Sequence, residues 1–159
     1  NIINTIEAFK LVKNKNIVLN LIGGGELQAE VIELIKDDHR INDLGFIQPH
    51  KLSKIYEKND IFLMPSKHDG WALVINEAMA ASMPIISTNK VGAVVEYIEH
   101  KINGFVCDTG KEDIKNGIEF YLNNKSFIFL HGQLNKNIIK DSLADVRNFK
   151  QSLLEFLSD

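Results

Sequence analysis

Short apolar runs alternate with helical stripes along the chain. Ile17–Ile22, Leu44–Ile47, Ile61–Met64, Ile85–Ser87 and Phe105–Cys107 are brief, rich in β-branched and aromatic residues, and bounded by Gly, Pro, Asn or Asp, which predicts strands. Between them, Ile2, Ile3, Ile6, Phe9 and Val12 recur at helical spacing and predict a helix from Ile2 to about Lys13. Leu27, Val31, Leu34 and Ile35 form a second stripe, and Leu52, Ile55 and Tyr56 a third, opened by Pro49 and His50. The stretch Trp71–Ala81 is apolar nearly all round except for Asn76 and Glu77, which predicts a buried helix. A short helix is expected over Val91–Ile98, a turn at Asn103-Gly104, and helices over 111–123, 126–139 and 142–157, the last striped by Val146, Phe149, Leu153 and Phe156. Asp37-Asp38-His39-Arg40 reads as a solvated helix end. Alternating strands and helices specify an α/β fold with a parallel sheet near 17–22, 43–47, 61–64, 84–87 and 105–107, and helices on both faces.

Composition narrows the partners. The 159 residues suffice for one domain with its own core. A net charge of −3 gives no reason to expect nucleic acid or an anionic membrane as a bulk partner. No apolar run approaches the roughly 20 residues of a membrane span. The single Cys107, expected buried and inert in its strand, excludes an internal disulfide and fits a reducing, cytoplasmic setting. The first residues lack the pattern of a signal peptide and open directly into helical periodicity, so the chain is expected to start inside something larger.

Candidate chemistry gathers between the strands at 61–64 and 85–87. Asp69 lies in the loop, Gly70 follows it, and Glu77 sits on the next helix. N–H groups at a helix start are unpaired and carry the positive end of the dipole, so this loop suits a phosphate or a sugar oxygen. In an open parallel sheet, ligands bind beyond the carboxyl ends of the strands, where this loop lies. Bland readings stand beside each residue. Asp69 could be an N-cap, Glu77 the half of a structural ion pair, and Trp71 a core residue. Gly23-Gly24-Gly25-Glu26 follows a strand and opens a helix, yet Gln28 stands where a dinucleotide fingerprint needs its third glycine, so an ordinary tight turn also fits. His50 and His68 have no companions at metal-ligand spacing, and no nucleophile–base arrangement is legible.

Taken together, these residues resemble the carboxyl-terminal domain of retaining GT-B glycosyltransferases of group 1, or family 4. That family carries an acid, seven residues, then Glu, which here is Asp69-Gly70-Trp71-Ala72-Leu73-Val74-Ile75-Asn76-Glu77. Gly23–Glu26, Leu44–Phe46, Asn59–Ser66, Met83–Thr88, Val91–Glu96 and Asn103–Phe105 match further landmarks in order, over roughly residues 1–123. The first acid is Asp where Glu is commoner. The resemblance implies a Rossmann-like nucleotide-sugar-binding domain over residues 1–159. Glu77 would hold the ribose, Asp69 would face the donor sugar as the catalytic residue, the N–H groups of Gly70, Trp71, Ala72 and Leu73 would hold sugar or phosphate oxygens, Gly24 and Gly25 would border the phosphates, and Ile47 and Gln48 the base. It implies a UDP- or GDP-sugar as substrate, no metal or other cofactor, and a glycan or lipid-linked acceptor brought by an amino-terminal domain, with possible peripheral membrane association. The family's domain opens with a strand followed by an Arg and a Lys that clamp the diphosphate, and this chain starts after both. It would then be an amino-terminally truncated half of an enzyme, inactive alone. The absent strand would lie between those at 17–22 and 61–64, which should close up or leave backbone groups unpaired. An epimerase of the same fold, or a non-catalytic α/β binding module, are the alternatives.

Overall fold

A computed structural model describes the backbone of residues 1–158, and the side-chain surroundings of residues 1–144 and 147. The strands are β1 (Leu19–Leu21), β2 (Ile41–Asp43), β3 (Phe62–Met64), β4 (Ile85–Thr88) and β5 (Gly104–Cys107). The helices are α1 (Ile2–Leu11), α2 (Gln28–Ile35), α3 (Pro49–Tyr56), α4 (Leu73–Ala80), α5 (Gly92–Tyr97), α6 (Lys111–Asn123) and α7 (Ser126–Ser158). All strand pairs are parallel: β1 with β2, and β3–β4–β5 in that order. Side chains alternate across β4. Ile86 joins the core of α1 and α6, with Ile6, Phe9, Ile114, Ile118 and Tyr121. Ile85 joins the opposite core, with Ile75, Met79, Val91 and Val94 of the α4–α5 side. Helices therefore cover both faces.

The two sheets do not meet. A cleft of about 620 Å³ separates β1 from β3, lined by Leu19, Ile61, Leu63, Ile86, Ile118 and Tyr121 among others. Leu19 donates its N–H to Arg40 and Leu21 accepts from Leu44, so β1 spends these residues on β2. Phe62 likewise bonds toward β4 through Pro84. By alternation, the amides of Asn20 and Leu63 face the cleft. The Asn20 side chain spans it to Asn59 Oδ1 at 2.8 Å. Of the two expected outcomes, the edges stay apart. Packing of α1 on α6 beneath them holds the spacing.

Several elements differ from those expected from the sequence. The second strand is Ile41–Asp43, and Leu44-Gly45-Phe46-Ile47 is a loop. Gly45 takes a left-handed φ of 62° and its N–H is held by Asp43 Oδ1 at 3.0 Å, which turns the chain out of the sheet. Phe46 consequently stands 74% exposed. The helices expected at 126–139 and 142–157 are one, α7, because no Gly or Pro interrupts Ile139-Lys140-Asp141-Ser142. The stripe Val146, Phe149, Leu153 and Phe156 lies outside the described side chains. Asp38 and Arg40 are not solvated. The guanidinium donates Nε to Asp38 Oδ1 at 2.9 Å and Nη2 to Oδ2 at 2.7 Å, while Nη1 reaches the carbonyls of Val12 and Asn14. This clasp also lies over the Phe9 ring and closes the end of α1 against the turn before β2.

Candidate functional site

The central loop is fixed from below. Ser87 Oγ donates to the Met64 carbonyl at 2.6 Å and Thr88 Oγ1 to that of Ser66 at 2.7 Å, tying β4 to the carboxyl end of β3. Asn1 closes the same end, its side-chain amide donating to the carbonyls of Pro65 and Thr109. The loop then runs along the start of α5. Asp69 donates its N–H to Lys90, Gly92 donates to Asp69, and Ala93 donates to Trp71, at 3.0, 3.1 and 3.0 Å. Gly92 is the only residue type that fits there, since a Cβ would collide with the Gly70 carbonyl. Nothing in the apolar pattern pointed to Gly92.

The helix starts later than expected, at Leu73 rather than Trp71, because Ala72 turns the chain with a left-handed φ of 63°. Such a conformation costs a non-glycine residue about 1–3 kcal/mol and persists where the surroundings impose it. Asp69 is half-buried, and its Oδ1 accepts the N–H of Trp71 at 3.0 Å. Trp71 is not core: it is 41% exposed, with Nε1 donating to Asn76 Oδ1 and its ring edge-on to Tyr97. The Trp71 N–H is thus occupied, whereas among the described residues those of Gly70, Ala72 and Leu73 have no hydrogen-bond partner. They form a short row of donors leading into the positive end of α4.

The α4 helix is not buried all round. It packs Ile75, Ala78 and Met79 inward and leaves Leu73, Glu77 and Ala80 exposed. Glu77, one turn beyond Leu73, makes no ion pair among the described residues. Its Oε2 accepts the Tyr56 hydroxyl at 3.0 Å. Burial, reinforced by that carboxylate, pushes the Tyr56 phenol above its ordinary range. Both residues open onto a cavity of about 550 Å³ that runs along α3 and α4 and takes in Pro49, Leu52, Ser53 and Lys136. Tyr56 was legible only as a core position. Its signal was the hydroxyl, since a buried tyrosine ends a helix with a polar tip that needs a partner.

The structure joins some predicted site residues and leaves others apart. Gly23 donates its N–H to the Gly45 carbonyl at 2.9 Å, which brings the exposed Gly24–Gly25 turn beside the loop carrying Ile47 and Gln48. Gln48 precedes Pro49 at the start of α3 and so adjoins the Glu77 cavity. Asp69, Gly24 and Gly25 do not line that cavity. No cluster of three His, Cys, Asp or Glu side chains suited to a metal occurs among the described residues.

Fold and site define an α/β domain in which exposed loops, a short row of unpaired N–H groups and one open carboxylate lie at strand ends and along a helix start. The chain belongs to the group 1 glycosyl transferases, whose family model matches residues 1–142. An uncharacterized glycosyltransferase of Haemophilus influenzae is 33% identical over 108 residues, covering 67% of this chain and 31% of that protein. N-acetyl-alpha-D-glucosaminyl L-malate synthase of Bacillus anthracis is 29% identical over 109 residues, covering 67% of this chain and 28% of the synthase. Among solved structures, Anabaena Alr3699/HepE in complex with UDP and glucose superposes with a TM-score of 0.80 at 23% identity, over 98% of this chain and 44% of that one. That likeness gives the fold, one Rossmann-like half of a GT-B glycosyltransferase. The chain spans about a third of the length of these curated relatives. No helix among the described residues is long and apolar enough to cross a membrane.

Proposed function

We propose that this chain is the nucleotide-sugar-binding domain of a glycosyltransferase that moves a hexose from a UDP- or GDP-sugar to a glycan or lipid-linked acceptor. One observation carries the reading: the unpaired N–H groups of Gly70, Ala72 and Leu73 lead into α4, and one turn on Glu77 keeps an open carboxylate oxygen. Such donors suit the oxygens of a phosphorylated sugar, and such an acceptor suits the hydroxyls of a ribose. In this reading Glu77 binds ribose, Gly24 and Gly25 border the phosphates, Ile47 and Gln48 flank the base, and Asp69 faces the transferred sugar with its second oxygen. Bonding of Asp69 Oδ1 to the Trp71 N–H fixes that carboxylate before the ligand arrives. Transfer proceeds with retention of anomeric configuration and without a metal, the helix start stabilising charge on the donor. The diphosphate leaves on the face the acceptor enters, and Glu77 serves binding rather than proton transfer. The reading is further supported by the family and by the nucleotide and sugar named in the HepE complex. It places the protein in the cytoplasm, against a membrane surface where the acceptor is lipid-linked. Calorimetric titration of the full-length protein with UDP, GDP and ADP tests it. Saturable binding of one diphosphate in preference to the others is expected. Indifference to all three would mark the domain as an interaction module instead.

A further inference from the structure

We propose that Tyr56 is a positioning residue of this site: its hydroxyl pins Oε2 of Glu77, leaving Oε1 free, at the cavity that Glu77 lines, to receive the ligand's hydroxyls. The inference rests on the reading of Glu77 given above. Tyr56 is the last residue of α3 and is 7% exposed, with its ring edge-on to Phe62 at 6.0 Å and 74°. Core packing thus holds the phenol still while its oxygen reaches Glu77 Oε2 at 3.0 Å. A carboxylate only accepts, so the phenol donates, and its partner oxygen is fixed in direction. Glu77 is otherwise exposed and unpaired among the described residues, and a glutamate in that situation samples many rotamers. Lys136 lines the same cavity without forming an ion pair with Glu77. The phenol is therefore what orders the carboxylate, and a ligand meeting Glu77 finds it already oriented.

A purely structural Tyr56–Glu77 bond would alter stability and nothing else. A positioning bond alters affinity, and only through Glu77. The test is calorimetric titration of the full-length protein with whichever of UDP, GDP or ADP it binds, comparing wild type, Tyr56→Phe, Glu77→Ala and the double variant. Ordering one side chain in advance corresponds to about three- to tenfold in affinity. Tyr56→Phe keeps the ring and should weaken the diphosphate by that factor, raising KM for the nucleotide sugar equally. Adding it to Glu77→Ala should cost nothing further. Wild-type affinity in Tyr56→Phe beside a weakened Glu77→Ala would overturn the positioning role and leave the proposed function standing. A Tyr56→Phe loss that persists in the Glu77→Ala background would overturn it too, since Tyr56 would then act by another route. Unchanged affinity in Glu77→Ala, or no diphosphate bound by wild type, would remove both the inference and the reading beneath it.

Discussion

Replacing Gly92 by alanine tests whether the loop from Asp69 to Ala72 is held by α5. The added Cβ would overlap the Gly70 carbonyl and press on the Trp71 backbone at 3.2 Å, and both contacts are backbone that cannot rotate away. Relief requires the loop to move off α5. The bonds from Gly92 to Asp69 and from Ala93 to Trp71 would lengthen with it. Two weakened hydrogen bonds at about 1 kcal/mol each give about 2 kcal/mol, within the ~1–3 kcal/mol range for overpacking. In a domain of this size that is a fall of about 4–8 °C in Tm. The same displacement moves the Gly70, Ala72 and Leu73 donors, so nucleotide-sugar affinity should fall as well. Gly110→Ala is the control, because its Cβ meets only Asp113 Oδ2 at 3.5 Å. Thermal denaturation and titration of both variants decide the matter. A Gly92→Ala protein with the Tm and ligand affinity of Gly110→Ala would refute the claim that this close approach positions the loop.

Other expectations follow from the clasp, the thiol and the cleft. Arg40 holds the Asp38 carboxyl down to about 2, below its ordinary value, so the pair's stabilisation is complete above pH ~4 and lost as pH falls through 2. Arg40→Met should cost about 3 kcal/mol and flatten the acid limb of a pH–stability curve, and an unchanged limb would count against the clasp. Burial, aided by Asp113, pushes the Cys107 thiol up to about 12, so its contribution is intact below the unfolded value near 8.5 and lost as pH rises toward 12. At pH 8 its alkylation should be as slow as unfolding, and rapid labelling of the folded chain would contradict its burial. Hydrogen exchange of the 159-residue chain should be slow at Ile86, between two partner strands, and faster at Asn20 and Leu63, which face the cleft. Equal protection would mean that β1 and β3 close up in solution.

Apolar periodicity made most of this architecture readable, since the strand–helix alternation and the two-faced sheet depend on runs that survive in any context. The misplaced second strand shows its limit. Leu44, Phe46 and Ile47 look like a strand, but Gly45 and the Asp43 side chain turn the backbone, a local polar bond that outweighs apolar content. Glu77 was singled out for sitting on an apolar helix, yet it is exposed, because α4 packs on β4, α5 and α7 through Ile75, Ala78 and Met79 and leaves the face carrying Glu77 open to the cavity. Asp38 and Arg40 looked like surface charges since the carbonyls that Arg40 clasps, those of Val12 and Asn14, are remote in sequence. Tyr56 and Gly92 were invisible as site residues for the same reason: what each does depends on an element twenty or so residues away.

The central claim is that Glu77 and Asp69 read different parts of one nucleotide sugar. Calorimetry of the full-length protein measures it, using Glu77→Ala and Asp69→Ala, each titrated with the nucleoside diphosphate and with its sugar ester. Glu77→Ala should weaken both ligands by roughly tenfold to over a hundredfold, the worth of about 1.5–3 kcal/mol for a hydrogen bond to a charged group. Asp69→Ala should leave the diphosphate nearly unaffected while weakening the sugar ester. Equal losses for both ligands in Asp69→Ala, or wild-type affinity in a folded Glu77→Ala protein, would contradict the assignment.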